Sequence, residues 1–146
     1  MWNKYLNIEI KLLNQEWKVY LDSESAGQYT ISRASWIGDY VDPNSFLDLF
    51  LCNGGNNRTG WCNAEYDRLI LDVAPKMKSH EERLAVFQEA ETLLLDAMPM
   101  IPIYIYTSKH LMNSSVKNHN GNLLDQTTFK ELTLESDSSD STGGNH

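Results

Sequence analysis

Between Asn63 and Pro99 the apolar residues recur at helical spacing and a proline closes each run, which constrains the fold more tightly than any other stretch. Tyr66, Leu69, Ile70 and Val73 fall at i, i+3, i+4 and i+7 behind Asn63, a natural N-cap, and Pro75 ends the pattern. Ser79 and Glu82 have the spacing of a capping box, so a longer helix is predicted from there to about Ala97. Its inward face is read as Leu84, Phe87, Ala90, Leu94 and Ala97 or Met98, and Pro99 stops it.

The rest of the chain reads as strands and helices in alternation. Trp2, Tyr5 and Leu6 share one face, as in the last turn of a helix whose beginning is missing. Leu6 to Leu13 alternates Ile8, Ile10 and Leu12 with Glu9 and Lys11, the period of a half-buried strand. Asn14 is placed to cap a helix with Trp17, Tyr20 and Leu21 inward and Gly27 at its end. Tyr29 to Trp36 is the next predicted strand, giving a right-handed βαβ unit with parallel strands. A short helix carrying Phe46, Leu47, Phe50 and Leu51 follows the Pro43 turn, and residues 53–60 form an exposed loop.

Met100 to Thr107, extended by Leu111 and Met112, is β-rich, with Pro102 confining it to an edge. Leu132 to Leu134 is a last strand, and Ser136 to His146 is a polar tail expected to be disordered. The predicted class is α/β, a small mixed sheet with flanking helices, in one unit over residues 1–135 with a tail over 136–146. Left without a partner, the Met100 to Thr107 edge would be a template for a homo-oligomer.

Charge and motifs then narrow the function. Twenty acidic against twelve basic residues leave a net charge of −8, which opposes nonspecific binding to nucleic acid or anionic lipid and favours a cationic or neutral partner. No apolar window is long enough to span a membrane, and the first residues lack the apolar core of a signal peptide. Phosphate-binding glycine loops, paired metal-ligand histidines and nucleophile elbows are all missing, so no cofactor, metal site or enzyme activity is expected. Cys52 and Cys62 flank a turn-rich loop and are either a disulfide, in an oxidising compartment, or two free thiols.

One stretch concentrates chemistry, Arg33 to Phe46. A β-leaning run ends at Gly38, Asp39 and Tyr40 follow, and Asp42-Pro43-Asn44-Ser45 turns the chain into a helix. Asp39 either caps a turn or presents an anion to a ligand ammonium group. Arg33 is either a solvated strand arginine or a fork for a ligand carboxylate, and Trp36 is either core or ligand wall.

Seven blocks in order carry a resemblance: Asn14-Gln-Glu-Trp17, Arg33-Ala-Ser-Trp36, Gly38-Asp-Tyr40, Asp42-Pro-Asn-Ser-Phe46, Asn56-Asn-Arg-Thr-Gly-Trp61, Glu65-Tyr-Asp67 and Pro99-Met-Ile-Pro-Ile-Tyr104. Together they resemble the C-terminal part of oligopeptide-binding proteins, the substrate-binding components of peptide ABC importers in extracellular solute-binding protein family 5. That resemblance implies a fragment of the C-terminal lobe of a type II periplasmic-binding-protein-like fold, about the last quarter of such a protein. It also implies short peptides as ligands, a membrane permease as partner of the full-length protein, and a periplasmic or cell-surface location. By motif position Asp39 would hold the peptide α-ammonium. Trp36, Ile37, Gly38 and Tyr40 would border its first residues, and Arg33 would lie near a short peptide's carboxylate. Two alternatives remain, an orphaned module that self-associates without ligand and, on weaker grounds, a hydrolase.

Overall fold

The computed structural model describes residues 1–122 and 124–135. Among the described residues five α-helices lie in chain order: α1 (Trp2–Leu6), α2 (Trp17–Ser25), α3 (Asn44–Leu47), α4 (Ala64–Arg68) and α5 (His80–Ala97). A 3₁₀ turn, Asp48–Phe50, prolongs α3. A wider π turn over Leu69–Val73 and a 3₁₀ turn over Ala74–Lys76 prolong α4. Pro75 lacks the N–H that would bond the Leu71 carbonyl, so a regular ladder cannot run through this point.

Helix ends follow their sequence signals closely. The Asn63 side chain accepts from the Glu65 and Tyr66 amides at 2.9 and 3.1 Å. Ser79 and Glu82 form the full capping box of α5. At the end of α2, Gly27 takes φ 66°, its N–H bonds the Glu24 carbonyl and the Gln28 N–H reaches the Ser23 carbonyl, a Schellman closure. The start of α2 departs from expectation, because Glu16 rather than Asn14 caps it, accepting from the Lys18 and Val19 amides.

The core lies where α3, α4 with its π turn, and α5 meet. Leu47, Tyr66, Leu69, Ile70, Ala74, Phe87, Ala90 and Leu94 are buried, with Phe50, Leu51, Trp61 and Leu84 half-covering them. The Tyr66 ring meets Trp61 edge-on at 5.0 Å. Helix α5 leaves the core one turn before its end, so Ala97 and Met98 are exposed rather than inward. Met98 takes the left-handed conformation that stops the helix, with φ 54°.

The predicted strands at Leu6 to Leu13, Tyr29 to Trp36 and Met100 to Thr107 are not strands among the described residues, and no βαβ unit forms. Period-2 alternation marks a strand only where a neighbour supplies the ladder. These three segments find none, and their apolar side chains stay exposed, Ile105 at 93%. The sheet is a two-stranded antiparallel pair, β1 (Val116–Lys117) with β2 (Thr133–Leu134), in the register Val116 opposite Leu134. The predicted last strand is thus present in its last two residues, and the tail 136–146 lies outside the described residues.

Candidate peptide-binding loop

Cys52 and Cys62 are disulfide-bonded with Cα atoms 4.6 Å apart, which resolves the two readings of the cysteines. The bond closes the 53–60 loop at the base of α4. Inside that loop Asn57 donates to the Leu51 and Trp61 carbonyls at 3.0 and 2.8 Å, holding the turn from within. The Cys52 amide is received by the Asp67 carboxylate at 3.1 Å, tying the bridge to α4.

The loop from Trp36 to Ser45 is built around a buried serine. Asp42 accepts the Asn44 amide through its side chain at 2.9 Å, which turns the chain into α3. Ser45, only 1% exposed, then lies under the preceding loop. Its hydroxyl oxygen accepts the Asp39 N–H at 2.6 Å, and its carbonyl accepts the Trp36 indole N–H at 2.9 Å. Gly38 passes so close that a Cβ there would sit 3.0 Å from the Phe46 ring and 3.3 Å from the Ser45 hydroxyl oxygen. Asn44 donates to the Tyr40 hydroxyl at 2.9 Å.

This arrangement is fixed to the helical core from one side. Arg83 on α5 makes a two-point ion pair with Asp42 at 2.5 and 2.8 Å while its guanidinium lies 4.5 Å from the Phe87 ring centroid. The hydrogen bonds from Arg83 hold the Asp42 carboxyl below its ordinary range, against some opposing burial.

Asp39 itself is exposed, and among the described residues its carboxylate receives no hydrogen bond. Asp48 lies near enough to feel it: burial first, and the Asp39 charge second, push the Asp48 carboxyl up. Asp48 also lines a cavity of about 300 Å³ with Asn44, Leu51, Ile70, Arg83 and Phe87. The loop therefore presents one free anion with a second beneath it, a potential that attracts a cation.

Trp36, Gly38, Asp39 and Tyr40 are thus gathered around Ser45 and Asn44. Ile37 is 73% exposed. Arg33 is directed elsewhere: its guanidinium donates to the Tyr106 hydroxyl and lies 5.9 Å from that ring's centroid, while its carbonyl lies 3.1 Å from the Tyr20 hydroxyl. Ser45, Asp48 and Arg83 were not legible as parts of this site. Asp-Pro-Asn-Ser announces a helix start, but nothing in that spacing says that the serine reaches back six residues to an amide.

With this geometry in view, the comparisons with known proteins decide the kinship. The dipeptide-binding protein DppE of Bacillus subtilis is 41% identical over 112 residues, 77% of this chain and 20% of that protein. This chain is a relative of the oligopeptide-binding proteins. The murein tripeptide-binding protein MppA of Escherichia coli superposes with a TM-score of 0.81 at 34% identity, over 91% of this chain and 26% of that one. Haemophilus influenzae OppA, solved in complex with the peptide RPPGFSPFR, gives 0.80 at 32% identity over the same shares, 91% and 26%. No protein-family model matches. This oligopeptide-binding-protein relative has part of the periplasmic-binding-protein fold, as helices and a small two-stranded sheet. It spans about a fifth of the curated relatives' length and about a quarter of the solved chains.

Proposed function

We propose that residues 1–135 form part of the C-terminal lobe of a peptide-binding protein serving an ABC importer, with the Trp36 to Ser45 loop as one wall of its cleft. The observation that carries this reading is the Asp39 carboxylate, exposed and without a hydrogen bond among the described residues while its own amide is bonded to Ser45. A peptide α-ammonium suits it, because a carboxylate with no hydrogen bond among the described residues keeps its bonding capacity for the incoming cation. Trp36 and Tyr40 flank that position, and Ile37 and Gly38 offer backbone to an extended peptide in the manner of strand addition. Arg33 is the candidate for a short peptide's carboxylate, which would have to draw it from Tyr106.

The role is binding rather than catalysis, in the periplasm or at the cell surface, with a membrane permease as the partner of the full-length protein. Chain 1–146 alone supplies one wall, so its affinity for peptide is weak, and the ligand is not buried as in a closed two-lobed cleft. Titrating the ¹⁵N-labelled chain with trialanine tests this. The expected result is millimolar binding that shifts the amides of residues 36–40; shifts spread evenly over the helices, or none at all, would remove the reading.

A second reading is favoured by one observation. Ile103, Ile105 and Leu111 stand largely exposed along a stretch that pairs with no strand among the described residues, a surface that a second copy could cover. Light scattering across a hundredfold concentration range distinguishes them. A stable oligomer indifferent to peptide supports the self-associating module, and a monomer that binds trialanine supports the binder.

A further inference from the structure

We propose that Ser45 is the positioning residue of the Asp39 anchor, one buried residue whose hydroxyl holds the Asp39 amide and whose backbone carbonyl holds the Trp36 indole beside it. This rests on the peptide-binding reading and adds to it the group that makes the loop selective for a free amino terminus. The two bonds diverge from a single residue: the hydroxyl oxygen receives the Asp39 amide at 2.6 Å and the carbonyl receives the Trp36 indole at 2.9 Å. Trp36 and Asp39 are therefore tied to the same residue from either side of Ile37 and Gly38.

Ser45 has little other reason to be a serine. It lies in the first turn of the short helix α3, and a buried hydroxyl is costly unless it is bonded. Among the described residues its hydroxyl oxygen accepts one hydrogen bond, from the Asp39 amide. Water cannot easily replace the hydroxyl, since Ser45 is 1% exposed and the Gly38 backbone passes directly over it. Its own position is fixed in turn: its amide bonds the Asp42 carbonyl at 3.0 Å, and Asp42 is clamped by Arg83 to α5. The chain of contacts runs from the helical core to the Asp39 backbone amide. An Asp39 whose backbone is placed in advance discriminates between an ammonium and a neutral amide more sharply, because the loop need not be ordered when the ligand arrives.

The experiment compares the affinity of the whole chain for trialanine and for N-acetyl-trialanine, followed by amide shifts, in the wild type, Ser45→Ala, Ser45→Thr and Leu94→Val. The ratio of the two affinities reports recognition of the charged end. In Ser45→Ala it is expected to fall by about threefold to tenfold, the size of one lost hydrogen bond. The Asp39 amide should also lose its protection from hydrogen exchange. Ser45→Thr, which keeps the hydroxyl, should retain most of the ratio, and Leu94→Val, a core change, should lower stability without altering it. A Ser45→Ala chain that keeps the wild-type ratio overturns the proposal and leaves the peptide-binding reading standing. A wild type that cannot tell the two peptides apart sinks the anchor reading itself. Should Ser45→Ala fail to fold, exchange of the Asp39 amide in Ser45→Thr decides: unprotected there, the positioning role is wrong.

Discussion

Arg83 reaches from α5 to hold Asp42 by two hydrogen bonds, so the loop that carries the candidate anchor is attached to the helix that places Phe87, Ala90 and Leu94 in the core. Both side chains are mostly buried, at 29% and 23% exposure, where such a pair outweighs a surface one. Arg83→Met should lower stability by about 1–3 kcal/mol, since it leaves Asp42 without its cation. Because the folded-state carboxyl is depressed, its stabilisation is full above the unfolded value and is lost as pH falls through the folded one. Urea unfolding from neutral to acid pH should show the wild type losing stability faster than Arg83→Met.

Tyr66 is fully buried and donates its hydroxyl to the Leu47 carbonyl at 2.6 Å, joining α4 to α3. Tyr66→Phe keeps the ring and removes that bond, at an expected cost of about 1–3 kcal/mol in chemical denaturation. Burial pushes the phenol well above its ordinary range. An acid raised on folding favours the folded state in its neutral form, so stability should fall as pH rises past the unfolded phenol value. Tyr66→Phe should lack that alkaline loss.

The Cys52 to Cys62 bridge closes a separation of 10 residues. On the chain-entropy model its loss costs about 2–3 kcal/mol. A thermal melt with and without reductant should show a lower midpoint for the reduced chain, and Cys52→Ser with Cys62→Ser should reproduce it.

Asp48 offers the opposite sign to Asp42. Burial and the nearby Asp39 charge raise its carboxyl, so ionising it opposes folding, and the penalty grows as pH rises above the unfolded carboxylate value. Asp48→Asn should therefore be more stable than wild type at neutral pH and show no advantage in acid. Following the Asp48 carboxyl by NMR, Asp39→Asn should shift its titration downward.

Helix content was legible where the signal is local. The capping box at Ser79 and the cap at Asn63 each need only a few neighbouring residues, and both are in place. Apart from Leu132 to Leu134, whose last two residues form β2, the predicted strands are absent among the described residues, because alternation at Ile8, Ile10 and Leu12 says which side chains would share a face and nothing about which chain would pair with them. The candidate site divides the same way. Asp39 stands out as a charge after a glycine at a turn, whereas Ser45 and Arg83 act on it through contacts that span 6 residues and, by way of Asp42, 41 residues.

The central claim is that the Asp39 carboxylate receives a peptide's charged amino terminus. The most direct measurement is the affinity of trialanine relative to N-acetyl-trialanine for the wild type and for Asp39→Asn, by amide shifts at neutral pH. The account expects the wild type to prefer the free amine by about tenfold or more and Asp39→Asn to bind both alike. An Asp39→Asn chain that keeps the wild-type preference would contradict it.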